Sequence, residues 1–288
     1  MDITQKIEAL GFAKYLGTFE PGTPEWNEAR KGLGGSDIAS VMDMNPWKSA
    51  FTLFCEKTGL IDGSIEPSMP MQMGTAFEPV IRDLFVKNNS EWLMVHETGT
   101  WASVEEPRSV ANPDGIIEWD DGSLGVLEIK FSRMYWDKLP EHYNLQVQHY
   151  LSVLGLKRGV VVAVTGGDWK EFDVVLDDSL VKTMKSRVEA FYGFLDTNTA
   201  PDYDGSESTY ETVRELSPGL QEGEIELGSL WANLLQAKAE SEHWETQFKA
   251  HKSAVLAFMD GTKYGLFQGD KVISLQARNG KPFITFTK

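Results

Sequence analysis

Residues 112–130 read NPDGIIEWDDGSLGVLEIK. Two apolar runs, Gly-Ile-Ile and Gly-Val-Leu, flank Asp120-Asp121-Gly122, a turn signal, so the segment reads as a hairpin. Its ends carry charge inside apolar company: Asp114 on one side, Glu128 and Lys130 on the other. Residues two apart on a strand share a face, so Glu128 and Lys130 point the same way and Ile129 turns into the core. A turn at Gly122 brings Asp114 close to Glu128. Two carboxylates in one place repel unless a cation lies between them. Carboxylate oxygens, a backbone carbonyl and waters suit Mg²⁺. A lysine beside such a metal orients or deprotonates a water and helps neutralise a phosphate. The same residues also fit a salt-bridged structural hairpin.

Upstream, TPEWNEARK opens as a helix with Thr23 as cap and Pro24 as its first residue. Gly34-Gly35-Ser36-Asp37 breaks the chain, and IASVMDM resumes a helix after a capping Ser or Asp. SAFTLFCEKTG is a further helix ending at Gly59. GTAFEPVIRDLFVKN is expected as a helix from Gly74, with Phe77, Ile81, Leu84 and Phe85 on one stripe. On it Glu78 precedes Arg82 by one turn, the spacing of a surface ion pair. WLMVHETGTW, SVANPDGIIEW and LGVLEIKF read as strands. The helix HYNLQVQHYLSVLG places Tyr143, Gln146 and Tyr150 on one face and Val147, Leu151 and Leu154 beside it. Strands GVVVAVT and WKEFDVVL and the amphipathic helix SLVKTMKSRVEAFYGFLD follow.

Residues 197–226 are acidic and rich in Pro, Gly, Ser and Thr, and read as a linker or surface wrap. Beyond it, Leu230, Leu234, Ala237, Ser241, Trp244, Phe248, His251, Val255 and Phe258 follow alternating steps of four and three, a heptad seam with two polar breaks. Trp244 and Phe248 are expected to be buried, and His251 to be a packed polar residue. Turn signals at Gly269-Asp270 and Asn279-Gly280 make the C-terminal stretch a small meander. Two domains are expected, 1–218 and 219–288.

The chain has 288 residues, 41% hydrophobic and 24% charged, the composition of a soluble globular protein. No apolar run approaches the ~20 residues of a membrane-spanning helix, and MDITQKIEALGF lacks the basic start and apolar stretch of a signal peptide. Its single cysteine, Cys55, excludes an intrachain disulfide and a four-cysteine metal or iron–sulfur site. A reducing cytoplasm is expected. The net charge of −16 argues against a protein that coats nucleic acid, which needs clustered Lys and Arg. It leaves room for an enzyme whose carboxylates hold cations and whose few basic residues line one groove.

Glu78, Pro113-Asp114, Glu128-Ile129-Lys130 and Gln146-x-x-x-Tyr150 occur in the order of the PD-(D/E)XK nuclease motifs, including the Gln-x-x-x-Tyr element of the RecB-like branch. Trp26-x-x-x-Arg30, Gly34-Gly35-Ser36-Asp37-Ile38-Ala39 and Asn45-Pro46-Trp47 resemble the opening signature of YqaJ-type viral recombinases, a group similar to the lambda-exonuclease-like nucleases. The resemblance spans about Trp26 to Val164. It implies an α/β (α+β) fold with a restriction-endonuclease-like PD-(D/E)XK core, a central mixed sheet flanked by helices. The long helix and β-meander lie C-terminal to that core.

The resemblance also implies roles. Asp114 and Glu128 bind Mg²⁺ (Mn²⁺ as a substitute), the Ile129 carbonyl adds a ligand, and Glu78 contributes directly or through water. Lys130 positions or activates the attacking water. Gln146 holds the site's geometry or the scissile strand, with Tyr143 and Tyr150 as neighbours. Arg30 and Ser36 look like a 5′-phosphate pocket, and Arg133 assists. The implied activity is a 5′→3′ exonuclease that degrades one strand of linear duplex DNA and leaves 3′ overhangs for an annealing protein in phage-type recombination. A homo-oligomeric ring, a trimer, around the DNA is implied too, in the cytoplasm of a bacterial host. A ring makes a strongly basic surface less necessary, because processivity comes from topology. Three other readings stay open: an endonuclease of the same fold, a non-catalytic DNA-end adaptor, and a scaffold that uses the C-terminal helix to hold an annealing protein. The Arg30–Ser36 pair discriminates against the endonuclease, and three buried charges against the adaptor.

Overall fold

The computed structural model describes residues 1–20, 22–63 and 67–287, with Arg30 given by its backbone alone. The chain divides into two compact units, Met1–Pro218 and Gly219–Lys288. In chain order the first contains α1 (Ile3–Glu8), β1 (Ala13–Gly17), α2 (Pro24–Arg30), α3 (Gly35–Val41), α4 (Ala50–Lys57), α5 (Met69–Asn89), β2 (Leu93–His96), β3 (Thr100–Ser103), β4 (Val110–Ala111), β5 (Gly115–Trp119), β6 (Leu124–Ser132), α6 (Glu141–Leu154), β7 (Arg158–Thr165), β8 (Asp168–Val175), α7 (Asp178–Thr197) and α8 (Glu207–Leu216). The second contains α9 (Ser229–Met259), β9 (Tyr264–Phe267), β10 (Asp270–Arg278) and β11 (Lys281–Phe286).

The central sheet is five-stranded and mixed, in the order β2-β5-β6-β7-β8. Only β6 and β7 run parallel, and parallel neighbours need a crossover, here through α6. Period-two alternation sorts the side chains of β5 and β6. Ile116 and Val126 face α6, where they pack with Val147 and Leu151. Ile117, Leu127 and Ile129 face the other way and pack with Ile81 and Phe85 of α5. Each such buried side chain contributes about 1.5–3 kcal/mol. The far side of α6 is also covered: Leu145 packs with Ile38 of α3, Leu53 of α4 and Met184 of α7. A smaller antiparallel sheet, β1-β3-β4, completes the unit.

Several expectations change. WLMVHETGTW is not one strand. β2 joins the central sheet and β3 the small one, with the break at Gly99. A Cβ there would lie 2.5 Å from the Gly17 carbonyl oxygen, so the two segments approach closer than any side chain allows. SVANPDGIIEW divides likewise into β4 and β5 around Pro113, which has no N–H for a ladder. α5 starts at Met69, not Gly74, with Ser68 at the N-cap position and a proline in its first turn, where the missing N–H costs nothing. Its stripe is narrower than expected: Ile81 and Phe85 are buried, while Phe77 and Leu84 are 40% and 44% exposed. α3 is capped by Gly34, whose N–H donates to Asp37 Oδ2 (3.1 Å), rather than by a Ser or Asp side chain.

The supposed linker contains α8. Ser206 caps it, and its Thr209 and Thr212 hydrogen-bond Ser49 (2.7 Å) and Thr52 (2.8 Å) of the α4 region. Its packing surface is polar, which is why the apolar pattern missed it. In the second unit the three strands form the expected antiparallel meander, β11-β10-β9. Met259 and Ile284 are buried between helix and sheet, and Phe248 stacks on Phe286 (6.2 Å). The heptad seam is otherwise open. Trp244 and Phe248 are 67% and 51% exposed, against the expectation of burial, and His251 is exposed. A 31-residue helix meets a short sheet along only part of its length.

Candidate active site

The register Gly115↔Leu127 places Asp114 opposite Glu128 at the open end of the hairpin. Asp114 Oδ2 accepts the Ile129 N–H (2.6 Å). Glu128 is 2% exposed. Its Oε1 accepts from Lys130 Nζ (2.5 Å) and from Gln146 Nε2 (2.7 Å). Its Oε2 is shut off from solvent and has no hydrogen-bond partner among the described residues. An unpaired buried carboxylate oxygen is costly.

The electrostatics follow from this packing. Burial, and then the neighbouring Asp114, push the Glu128 carboxyl up to about 8. Asp114 is raised by burial against the opposing pull of Lys130, the Ile129 N–H and Arg82. Burial also opposes the charge on Lys130, but Glu128 and Asp114 outweigh it and hold the ammonium well above its ordinary range. Glu78 is raised by burial and by Asp114, with Arg82 and Lys130 opposing. Arg82 Nη2 donates to Glu78 Oε1 (3.1 Å) and to the Asp114 carbonyl (2.9 Å). The Glu78–Arg82 pair is thus tied to the acid cluster and is more than a surface pair.

Helix α6 supplies the other wall. Gln146 Nε2 also donates to the Tyr150 hydroxyl (3.0 Å). Both side chains pack under Gly35, where a Cβ would lie 2.4 Å from the Tyr150 ring and 2.9 Å from Gln146 Cγ. Only a glycine lets α3 approach this closely. The Lys130 ammonium lies 5.0 Å from the Tyr143 ring centroid. Burial pushes the Tyr143 phenol up.

Ser36 is exposed. It lines a cleft of about 160 Å³ with Trp26, Asp37, Lys57, Asn112 and Tyr150, so this cleft borders the Gln146–Tyr150 wall. Lys57 Nζ bridges Asp37 (2.8 Å) and the Gly32 carbonyl (2.7 Å) there. The Arg30 side chain lies outside the described residues. Arg133 is exposed just past the end of β6, and no contact joins it to the acid pair. The structure therefore gathers Glu78, Asp114, Glu128, Lys130, Gln146, Tyr143 and Tyr150, sets Ser36 in the adjoining cleft, and leaves Arg133 apart.

Three neighbours were not singled out from sequence: Arg82 as a backbone clamp, Lys57 as the cleft's cation, and His142. Arg82 has the helical spacing to Glu78 as a signal. His142 has its place next to Tyr143 on α6 as a signal, and Lys57 has none, because its contacts are nonlocal. A larger cleft, about 650 Å³ and lined by Arg108, Lys185 and Tyr192, lies away from the acid pair. Its cations are already matched, Arg108 by Glu106 and Asp196 and Lys185 by Glu105.

Among the described residues no group of three or more His, Cys, Asp and Glu side chains gathers as a ready-made metal cage. The donor set still fits a hard cation. Two carboxylates face each other, Glu128 buried and Asp114 half-buried, the Glu128 Oε2 requires a partner, and Mg²⁺ keeps several waters and takes one or two carboxylates rather than a full protein cage.

Residues 25–157 match the model of the YqaJ-like viral recombinase domain. The chain is 30% identical over 204 residues to the uncharacterized protein YqaJ of Bacillus subtilis (strain 168), an alignment that covers 66% of this chain and 62% of that one. The chain thus spans less than two thirds of this relative's length. Among solved structures, the alkaline exonuclease LHK-Exo from Laribacter hongkongensis aligns with a TM-score of 0.49 at 22% identity, over 68% of this chain and 100% of that one. LHK-Exo in complex with dAMP aligns over the same shares with a TM-score of 0.50 at 20% identity, a likeness of fold.

Proposed function

We propose that this chain, whose residues 25–157 match the YqaJ-like viral recombinase domain, is a metal-dependent 5′→3′ exonuclease that degrades one strand of linear duplex DNA. The 3′ overhangs left behind would feed single-strand annealing in phage-type recombination. The observation that carries this reading is the Glu128 carboxylate, buried beside Asp114 and Lys130 with one oxygen unpartnered. A structural hairpin gains nothing from such an arrangement.

The proposed cation is Mg²⁺, with Mn²⁺ as a substitute: Asp114 and Glu128 would hold it, with the Ile129 carbonyl and Glu78 contributing, and it would supply Lewis-acid polarisation of the phosphate and acidify the attacking water. The remaining work falls to the chain. Lys130, held protonated by its two acids, is a donor that orients water or neutralises a phosphoryl oxygen, and not a base. Gln146 fixes Glu128 Oε1 and so aims Oε2. Tyr150 fixes Gln146. Arg82 holds Glu78 and the Asp114 carbonyl in one frame.

Arg30 and Ser36 are the proposed grip on a terminal 5′-phosphate, with Tyr143 and Arg133 as further DNA contacts. A ring-shaped homo-oligomer, a trimer, an annealing protein as partner and the cytoplasm of a bacterial host complete the proposal. Among the described residues no helix is long and apolar enough to cross a membrane.

The test is digestion of internally labelled duplex with Mg²⁺. Linear DNA with 5′-phosphate should be lost faster than linear DNA with 5′-hydroxyl, and circular duplex should survive. Nicking of the circle would replace the exonuclease by an endonuclease. Binding without cleavage under either metal would leave an adaptor.

A further inference from the structure

Beside Lys130 runs a row of aromatic rings of which only Tyr143 has a role above. His142 lies 4.1 Å from Tyr143, centroid to centroid, and Trp136 lies 5.1 Å from Tyr143 on another side. Trp47 meets His142 edge-on at 4.9 Å. Two members are in conditions that a free protein does not favour. Trp47 is 67% exposed, yet it is not loose. Asn45 Oδ1 accepts the Trp47 and Lys48 N–H groups (2.9 and 3.2 Å), and Asn45 Nδ2 donates to Ser40 Oγ (3.0 Å) on α3. Ser40 is fully buried, so the turn that presents the indole is pinned to the core. His142 Nε2 is shut off from solvent and has no hydrogen-bond partner among the described residues. A pinned, solvent-facing indole packed on a half-buried imidazole marks a contact surface.

The occupant follows from the neighbour. The row begins at Tyr143, over which the Lys130 ammonium sits. A molecule that puts a phosphate at Lys130 and a flat apolar group beside it is a nucleotide. Aromatic faces take any base, because every base has a π-face. We propose that Trp47, braced edge-on by His142 and continued by Tyr143 and Trp136, forms a nucleobase subsite that stacks the base of the terminal nucleotide. The subsite rests on the nuclease reading for its substrate. It adds that the protein grips a base as well as a phosphate, without choosing among the four.

Substrates with an abasic terminal residue separate the two claims. Duplex ends would be intact or abasic at the 5′-terminal or the 3′-terminal position. Cleavage would be followed with Mg²⁺, and binding of the same ends by anisotropy in EDTA. The wild type should process and bind intact ends about tenfold better than abasic ones at one of the two termini, the order of one stacked base. In Trp47→Ala the intact-to-abasic ratio should fall to about one, and Trp47→Phe should restore most of it. His142→Ala should lower the same ratio by a smaller factor. A fold defect would slow both substrates and leave the ratio standing. A wild type that ignores the abasic change in both assays, or a Trp47→Ala protein that keeps the full ratio, would overturn the subsite. A wild type that fails to cleave, but whose binding discriminates through Trp47, would end the nuclease reading and keep the subsite.

Discussion

Helices α6 and α9 look alike in sequence and are opposites in structure. Both mix apolar stripes with Gln, His and Glu. α6 is 14 residues long, and Gln146, Gln148 and His149 are buried in it alongside Leu145 and Leu151. Each of those polar groups has a defined partner: Gln146 has Glu128 and Tyr150, Gln148 the Val175 carbonyl (2.8 Å), and His149 the Val110 carbonyl (3.0 Å). α9 is 31 residues long, and Met259 is its one buried residue. A heptad pattern specifies which face of a helix can be covered, not whether anything covers it. Buried polar residues with nonlocal partners carry the opposite information. They cost stability wherever a partner is missing, so a protein that keeps them has built a site.

The largest effect should come from the acid cluster. Lys130→Ala or Asp114→Asn should cut the rate of linear-duplex digestion by on the order of 10²–10³, the range for removing one preorganised electrostatic group. Circular dichroism should show the fold retained, and a full-rate Lys130→Ala protein would make the cluster merely structural. Gly35→Ala comes next. The new methyl meets the Tyr150 ring and Gln146, and such overpacking costs about 1–3 kcal/mol, read as a lower denaturation midpoint. An unchanged midpoint would mean that α3 can move away freely.

Glu128 gives a pH test. Its carboxyl is raised to about 8 in the folded protein, above its value in the unfolded chain. The folded state therefore holds its proton more tightly. Stability should be full in the ordinary carboxylate range, decline as pH rises toward 8, and level off beyond. The decline is at most about 1.4 kcal/mol per pH unit. Melting in EDTA should show it, and Mg²⁺ should oppose it more at high pH than at low. Glu128→Gln should flatten the profile. The smallest effect belongs to α9. Phe258 is 92% exposed, so Phe258→Ser should shift stability by less than about 0.5 kcal/mol. A larger loss would show that the seam is covered in solution and would erase the contrast with α6.

The hairpin was legible because alternation and a turn signal are local. Once Gly122 turns the chain, Asp114 must meet Glu128, and Lys130 must share its face. Gln146 and Tyr150 were legible by helical spacing. What stayed hidden depends on distant partners. Nothing in WLMVHETGTW says that β2 and β3 go to different sheets, because the close approach of Gly99 to Gly17 is tertiary. α8 packs through Thr209 and Thr212, so its hydrophobic pattern is silent. Lys57 sits beside the site through contacts with residues far away in the chain. Trp244 and Phe248 misled, because a seam shows capacity for burial only.

The most direct measurement is Mn²⁺ binding, followed by electron paramagnetic resonance near neutral pH, on the wild type and Glu128→Gln. If the Asp114–Glu128 pair is a cation site, the wild type should bind Mn²⁺, Mg²⁺ should compete it off, and Glu128→Gln should lose it while remaining folded. A Glu128→Gln protein that binds Mn²⁺ like the wild type, or a wild type that binds none, would contradict the cation site and return Asp114, Glu128 and Lys130 to a structural role.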